Sequence, residues 1–183
     1  MTGVPLHLFL TGEIQVGKST IVSSVVSRLG VPVSGFRTVS VFRDGGESDV
    51  FLIPASGSLS DCCSASLLAR RVPGRRPEVR EEVFVSCGVP LLSECSGALV
   101  LMDELGWMES SSRLFQEAVF SVLGGPVPVL GVVRDQRLPF LDAVRDHPQV
   151  EVVVVTRENR DALRERVFAM VQERLSAAGD RRG

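Results

Sequence analysis

A glycine-rich stretch near the start of the chain constrains the fold more strongly than any other feature of the sequence. Residues 12–20 read Gly-Glu-Ile-Gln-Val-Gly-Lys-Ser-Thr and fit the pattern G-x-x-x-x-G-K-[ST]. Residues 4–10 before them predict a buried strand, and residues 21–29 after them are apolar at helical spacing. Gly30 then ends the predicted helix. A strand, a glycine loop and a helix in this order predict a loop that binds phosphate groups.

The residue types of this loop explain the predicted chemistry. Gly12 and Gly17 let the backbone bend so that successive N–H groups converge on phosphate oxygens, and the helix N-terminus adds to the positive field. Lys18, the only lysine of the chain, is expected to neutralise the β- and γ-phosphates, and the Ser19 hydroxyl to bind Mg²⁺. The candidate nucleotide-binding residues are Gly12, Glu13, Ile14, Gln15, Val16, Gly17, Lys18, Ser19 and Thr20.

The composition is that of a globular protein and argues against several classes of partner. The 183 residues fit one domain, expected over residues 1–179, with residues 180–183 as a tail. The net charge of −2 gives no basic field, so nucleic acid is not a predicted partner. No apolar run approaches the length of a membrane span, and the N-terminus lacks a signal-peptide pattern. The chain is therefore predicted to be cytoplasmic, without a membrane partner, and compatible with a monomer.

The four cysteines give no sign of a metal site. They are Cys62, Cys63, Cys87 and Cys95, and no two of them form a C-x-x-C pair. Reduced, free thiols are the expected state in the predicted compartment.

A second informative stretch lies at residues 97–104. Its apolar residues end in the adjacent carboxylates Asp103 and Glu104, which is typical of a buried parallel strand with acids at its C-terminal tip. Ligands of open α/β sheets bind at that edge. Asp103 is expected to hold Mg²⁺ through water, and Glu104 to accept a proton from the attacking water. Residues 103–106 also fit the D-x-x-G of GTPases, but the N-K-x-D motif of that class is missing, so we favour the acidic pair.

The rest of the chain predicts alternating strands and helices, with one exception. Residues 33–42 and 49–54 predict an antiparallel hairpin. Residues 55–80 carry a group of arginines and predict either a solvated loop or a flap that approaches the phosphates: Arg70, Arg71, Arg75, Arg76 and Arg80. The remaining predicted elements are a strand at 81–85, a helix at 90–95, a serine-capped helix at 113–123, a strand at 127–133, a helix from Pro139 to about 147, a strand at 150–155 and a helix at 160–178 capped by Asn159. This alternation predicts a mostly parallel sheet with helices on both faces.

Two arginines are candidates for stabilising the charge that develops on a transferring phosphoryl group. Arg134 and Arg137 follow the predicted strand at 127–133, whose C-terminal end is expected at the same crevice as Asp103. The alternative is a solvated loop in which these arginines pair with Asp135.

Several stretches together resemble the THEP1 family of nucleoside-triphosphatases. They are residues 12–20, 35–38, 101–109, 112–115, 128–131 and 155–160, which lie in the family's order and leave residues 55–80 uncovered. The resemblance implies a RecA-like P-loop fold of the ASCE class. It also implies Mg²⁺-dependent hydrolysis of nucleoside triphosphates without tight base selectivity. The chain departs from the family in Glu13 and Gln15, within a loop that usually reads like G-x-P-G-V-G-K-T-T, and in Trp107, where lysine is common.

The residues and the resemblance together predict an α/β P-loop nucleoside-triphosphatase with an antiparallel hairpin beside its mostly parallel sheet. The expected ligands are a nucleoside triphosphate and Mg²⁺. The candidate catalytic residues are Lys18, Glu104, Arg134 and Arg137, and the candidate metal ligands are Ser19 and Asp103. Two alternatives stay open at this point. One is a small-molecule kinase whose acceptor pocket comes from residues 55–95, and the other is a nucleotide-dependent switch protein with slow hydrolysis.

Overall fold

Eight strands form one sheet across residues 4–180, the part of the chain that the computed structural model describes. In chain order the strands are β1 (His7–Thr11), β2 (Val33–Phe42), β3 (Ser48–Pro54), β4 (Leu67–Arg71), β5 (Glu78–Val79), β6 (Leu99–Leu105), β7 (Val129–Val133) and β8 (Val150–Val154). The α-helices are α1 (Lys18–Leu29), α2 (Val89–Ser93), α3 (Arg113–Leu123), α4 (Pro139–Arg145) and α5 (Arg160–Asp180). In space the strands follow the order β5-β4-β3-β2-β6-β7-β1-β8.

The strands β2, β6, β7, β1 and β8 are parallel, and we call them the parallel half of the sheet. β7 lies between β1, which precedes the glycine loop, and β6, which carries the acidic pair. Because parallel strands end at the same edge, the loop and the two carboxylates lie close together although many residues separate them in the chain. The mostly parallel sheet predicted from the sequence is confirmed.

Helices cover both faces of the parallel half because its strands are apolar on both sides. Leu8 and Leu10 of β1 belong to a core that they share with α1 and α5. Phe9 between them belongs to the opposite core, which α2, α3 and α4 complete. This packing fixes the N-terminus of α1 directly after β1, at the carboxyl edge of the sheet.

The strands β3, β4 and β5 pair in antiparallel fashion beyond β2, and we call them the antiparallel wing. The predicted hairpin of β2 and β3 is confirmed, with Phe36 opposite Pro54 and Phe42 opposite Ser48. Residues 55–80 differ from the loop or flap that we predicted, because they contain β4 and β5. The arginine-rich composition hid these strands from sequence reasoning.

The prediction of a strand at residues 81–85 was wrong. A π-helical segment, Phe84–Gly88, runs into α2 instead. The consecutive residues Val83 and Phe84 are both buried, whereas a strand would point them to opposite faces. The Phe84 ring packs on Phe115 of α3 at 4.9 Å between ring centroids. The contact with α3 therefore selects helical geometry here.

The other elements lie close to their predicted positions, with differences at the C-terminal end. Asn159 precedes α5, but its side-chain oxygen accepts the N–H of Thr156 at 2.8 Å, while the Thr156 hydroxyl accepts the N–H of Asn159 at 3.3 Å. Thr156 and Asn159 thus form two reciprocal hydrogen bonds that close the turn leading into α5. α5 continues to Asp180, the first residue of the predicted tail, and the remaining tail residues 181–183 lie outside the described part. Within residues 4–180, none of the helices has the length and apolar character needed to span a bilayer.

Candidate active site

The glycine loop between β1 and α1 adopts a backbone that its glycines make possible. Gly12 has φ of 134° and Gly17 has φ of 113°, in the region that residues with side chains rarely occupy. A Cβ atom at Gly12 would lie 2.3 Å from the Val155 carbonyl oxygen, so a side chain is excluded there. Gln15 at the tip also has a positive φ of 61°. The loop is therefore tightly curved against the end of β8.

Lys18 reaches back over this loop. Its Nζ donates to the carbonyl oxygens of Gly12 at 2.7 Å and Glu13 at 2.6 Å. Burial lowers the pKa of Lys18, and the nearby Glu104 carboxylate opposes that shift. The ammonium group is held inside the loop, where a bound phosphate would be its natural counter-charge.

A cavity of about 610 Å³ opens in front of the loop. Glu104 of β6 and the residues after β7 form its other wall, and its full lining is Gly12, Glu13, Ile14, Gln15, Gly17, Lys18, Ser19, Thr20, Glu104, Arg134, Asp135 and Gln136. The structure therefore brings together most of the residues that the sequence singled out. Val16 differs, because its side chain is buried in the core against α1 and α5.

Arg134 forms an ion pair with Glu104 across this cavity. The Arg134 backbone is itself fixed, since its N–H donates to the Leu105 carbonyl oxygen at 2.9 Å and its own carbonyl accepts from Arg145. The expected alternative of a pair with Asp135 is not what the structure shows. The candidate base and the candidate phosphoryl-stabilising arginine are thus bonded to each other in this state.

Arg137 does not belong to this arrangement. Its side chain is 93% exposed and lies 3.5 Å from Asp142 in the first turn of α4. The chain turns outward between Gln136 and Pro139, which carries Arg137 away from the crevice. The sequence prediction that placed both arginines at the crevice therefore holds for Arg134 alone.

Asp103 and Ser19 share a second cavity of about 420 Å³ next to the first. Burial raises the pKa of Asp103, while the Thr38 N–H, which donates to Asp103 Oδ2 at 3.3 Å, opposes that shift. A carboxylate and a hydroxyl oxygen are the hard ligands that Mg²⁺ prefers, and the free space leaves room for water ligands. The residues present therefore fit the predicted metal.

Comparison with known proteins agrees with this geometry. A family model described as NTPase matches residues 7–168. The chain is 32% identical to the human cancer-related nucleoside-triphosphatase, over 91% of this chain and 96% of that protein. It is 34% identical to the nucleoside-triphosphatase THEP1 of Thermococcus kodakarensis, over 86% and 89% of the two chains. The chain belongs to this nucleoside-triphosphatase family.

Solved structures agree with the fold of this nucleoside-triphosphatase family. The solution structure of a human cancer-related nucleoside triphosphatase superposes with a TM-score of 0.68 at 31% identity and covers 91% of this chain and 97% of its own. The crystal structure of THEP1 from Aquifex aeolicus gives a TM-score of 0.72 at 24% identity, over 90% and 98% of the two chains. The predicted α/β P-loop fold is confirmed.

Sequence reasoning missed one buried carboxyl group of this nucleoside-triphosphatase, Glu109. Its side chain is 2% exposed, and its Oε2 accepts the Gly106 N–H at 2.7 Å. Burial raises the pKa of Glu109 to about 7. The acid closes the loop that begins at Gly106, directly after β6. A glutamate three residues after a glycine in a loop is a weak signal, which explains why the pattern did not indicate it.

Trp107 lies in the same loop. Its ring packs partly buried against the core that includes α3, and the guanidinium of Arg76 from the wing lies 5.9 Å from the ring centroid. The indole does not line the cavity in front of the glycine loop. The wing therefore touches the loop after β6 without entering the candidate active site.

Proposed function

We propose that this chain hydrolyses nucleoside triphosphates to the diphosphate and inorganic phosphate with Mg²⁺, without tight selection of the base. The observation that carries the proposal is that Lys18, Glu104 and Arg134 line one cavity, and that Ser19 and Asp103 line the cavity next to it. The names of the relatives, which are nucleoside-triphosphatases, support hydrolysis over the kinase and switch alternatives.

The glycine loop would bind the triphosphate. Its backbone N–H groups surround the phosphates, and Lys18 would exchange its two loop carbonyls for β- and γ-phosphate oxygens. Ser19 and Asp103 would hold Mg²⁺, Asp103 through water, and the ion would neutralise charge on the same phosphates. Before nucleotide binds, the two loop carbonyls accept the hydrogen bonds of Lys18 in place of phosphate oxygens and hold its side chain along the loop.

Glu104 would act as the general base, with Arg134 as its temporary partner. The γ-phosphate competes for the Arg134 guanidinium, because it carries more negative charge than one carboxylate. Once Arg134 turns to the γ-phosphate, Glu104 is free to accept a proton from the attacking water. The water oxygen bonds to phosphorus, the bond from phosphorus to the bridging oxygen breaks, and the diphosphate takes the electron pair. Arg134 stabilises the charge on the transferring group.

We place this activity in the cytoplasm, and a monomer is sufficient for it. All the groups named above come from a single copy of the chain, and the four cysteines are free. Free thiols are the usual state in a reducing compartment.

Release of phosphate from a panel of ribo- and deoxyribonucleoside triphosphates, with and without Mg²⁺, tests the activity. We expect phosphate release from triphosphates that carry several different bases, and loss of this release when Mg²⁺ is left out. Glu104→Gln should bind nucleotide but hydrolyse it ~10²-fold more slowly. Arg134→Ala should lower the turnover rate ~10³-fold. Arg113→Ala is the matched control, since this arginine is 91% exposed on α3 and pairs with the surface residue Glu117. Turnover of Glu104→Gln at the wild-type rate would contradict its role as the base.

A further inference from the structure

The second cavity extends well beyond the two candidate metal ligands. It runs along the groove between α1 and β2, and its polar wall consists of Ser19, Ser23, Ser27, Arg37, Thr38, Ser40, Asp103 and Glu104. Ser19 and Glu104 also line the first cavity. The two cavities therefore meet at the place where the γ-phosphate of a bound nucleotide would lie.

Among residues 4–180, Arg37 is the only basic residue that lines this second cavity. On β2 its neighbour Phe36 is buried in the core that includes α3 and pairs with Met102 of β6. Because side chains alternate along a strand, Arg37 points to the other face, toward α1. It thus lies beside Asp103, whose carboxylate accepts the N–H of Thr38.

The guanidinium of Arg37 differs from those of three other arginines of the sheet and its loops. Arg43 and Arg70 are paired with Asp49, and Arg134 is paired with Glu104. Across residues 4–180, by contrast, no carboxylate oxygen lies within 4.0 Å of an Arg37 nitrogen. A partly buried guanidinium without a carboxylate partner has hydrogen-bond donors to spare for a ligand.

The charges around the cavity favour an anion once the proposed site is loaded. Asp103 would be offset by Mg²⁺, and once the γ-phosphate has left its position Arg134 would again offset Glu104, as it does in this structure. The positive charge of Arg37 then stays uncompensated, and the serine hydroxyls of α1 and β2 add neutral donors. A small tetrahedral oxyanion matches this set of charged and neutral donors.

We propose that the second cavity binds the inorganic phosphate that hydrolysis releases, with Arg37 as its charged contact. This inference rests on the proposed function and adds a product site to it. Because the two cavities meet at Ser19 and Glu104, the phosphate moves sideways from the γ-position into the groove between α1 and β2. It therefore leaves without passing the diphosphate that stays on the glycine loop.

Titration calorimetry with inorganic phosphate tests the site on the full chain. The protein is first saturated with nucleoside diphosphate and Mg²⁺, and phosphate is then added to the wild type and to Arg37→Gln. We expect saturable binding to the wild type and at least ~10-fold weaker binding to Arg37→Gln, the usual effect of losing one charged hydrogen-bond donor. Diphosphate affinity should change by less than about twofold. Arg37→Lys, which keeps the positive charge, should recover part of the phosphate affinity.

Arg113→Gln is the matched control and should bind phosphate as the wild type does, since its side chain lies on the exposed face of α3. Equal phosphate affinity in the wild type and Arg37→Gln overturns the proposal. An equal loss of diphosphate and phosphate affinity also overturns it, because Arg37 would then belong to the nucleotide site. The titration needs no turnover. If phosphate binding depends on Arg37 while no triphosphate is hydrolysed, the anion site stands and the proposed hydrolysis fails.

Discussion

The parallel half and the antiparallel wing use charged residues in opposite ways. In the parallel half, Lys18, Glu104 and Arg134 come from three separate segments and meet around a cavity. In the wing, Arg43 and Arg70 both bind Asp49, which comes from the same strand pairing. Parallel connections bring the ends of distant strands to one edge of the sheet. On antiparallel neighbours, opposite charges face each other across the pair and neutralise each other locally. Arginine content alone therefore does not locate the functional edge.

Two buried carboxyl groups show the same contrast. Asp49 in the wing and Glu109 after β6 are each 2% exposed. A hydrogen bond from Arg70, helped by Arg43, lowers the pKa of Asp49. Burial raises the pKa of Glu109, and backbone N–H groups of its own loop, including that of Gly106, oppose this shift only in part. The charge of Asp49 is thus offset by two arginines, whereas Glu109 has no ion-pair partner within residues 4–180. Carboxyl groups with pKa values raised in this way are common near active sites.

Lys18→Ala should give the largest effect on nucleotide affinity in the parallel half. We expect ~10²-fold weaker binding of nucleoside triphosphate with an intact fold, since the ammonium contacts only carbonyls of its own loop. Calorimetric titration with Mg²⁺ and nucleotide measures the affinity, and circular dichroism measures the fold. Arg70→Gln in the wing is the control and should bind nucleotide normally. Unchanged affinity in Lys18→Ala would remove the loop from nucleotide binding.

Glu109→Gln should change how stability depends on pH. The carboxyl group has the ordinary glutamate pKa of 4.5 in the unfolded chain and a pKa of about 7 in the folded one, so the folded state binds the extra proton between these values. The free energy of unfolding contributed by Glu109 therefore falls as pH rises through this window, by about 3 kcal/mol in total. Glutamine keeps the acceptor for Gly106 and should abolish this slope. Urea unfolding between about pH 4.5 and 8 measures it.

Glu117→Gln is the control for that experiment. Glu117 is 55% exposed and pairs with Arg113, so its variant should keep the wild-type slope. A wild-type slope in Glu109→Gln would mean that another group binds the proton.

Asp49→Asn should destabilise the wing and spare the active site. We expect the free energy of unfolding to fall by about 1–2 kcal/mol, because an amide replaces the charged partner of Arg43 and Arg70 while both arginines still reach water. The lowered pKa means that Asp49 stabilises the fold above its ordinary pKa and loses this effect as the pH falls below it. Thermal unfolding at about pH 7 and pH 3 should show a larger loss at neutral pH than at acid pH. Asp44→Asn on the exposed turn is the control, and a matching loss of turnover in Asp49→Asn would join the wing to catalysis.

Trp107 should report the smallest effect, a modest change of fluorescence when nucleotide and Mg²⁺ bind. The indole follows Glu104 by three residues but packs against the core and Arg76, so it senses the loop and does not touch the ligand. Arg76→Gln should shift the emission of the free protein and leave nucleotide affinity unchanged. A flat titration, alongside binding measured by calorimetry, would show that the loop after β6 stays still.

Local sequence was sufficient for the glycine loop, the strand that ends in Asp103 and Glu104, and the hairpin of β2 and β3. In each case the signal lies within about twenty residues, because positive-φ glycines, apolar runs and turn residues act on their own backbone. The same reasoning predicted α1 and α3, whose apolar spacing and end signals are also local. The glycine pattern and the acidic pair thus predicted the chemistry of the candidate active site from local sequence.

Contacts between distant residues settled the rest. The packing of Phe84 on Phe115 of α3 favours helical geometry at residues 84–88. The ion pair of Arg70 with Asp49 of β3 helps to hold part of the arginine-rich segment as strand β4. The same kind of contact paired Arg134 with Glu104 and Arg137 with Asp142. Within residues 4–180 it left Arg37, beside the second cavity, without a carboxylate at pairing distance. A charged side chain chooses its partner from whatever the folded chain places within a few ångströms, and sequence spacing does not encode that distance.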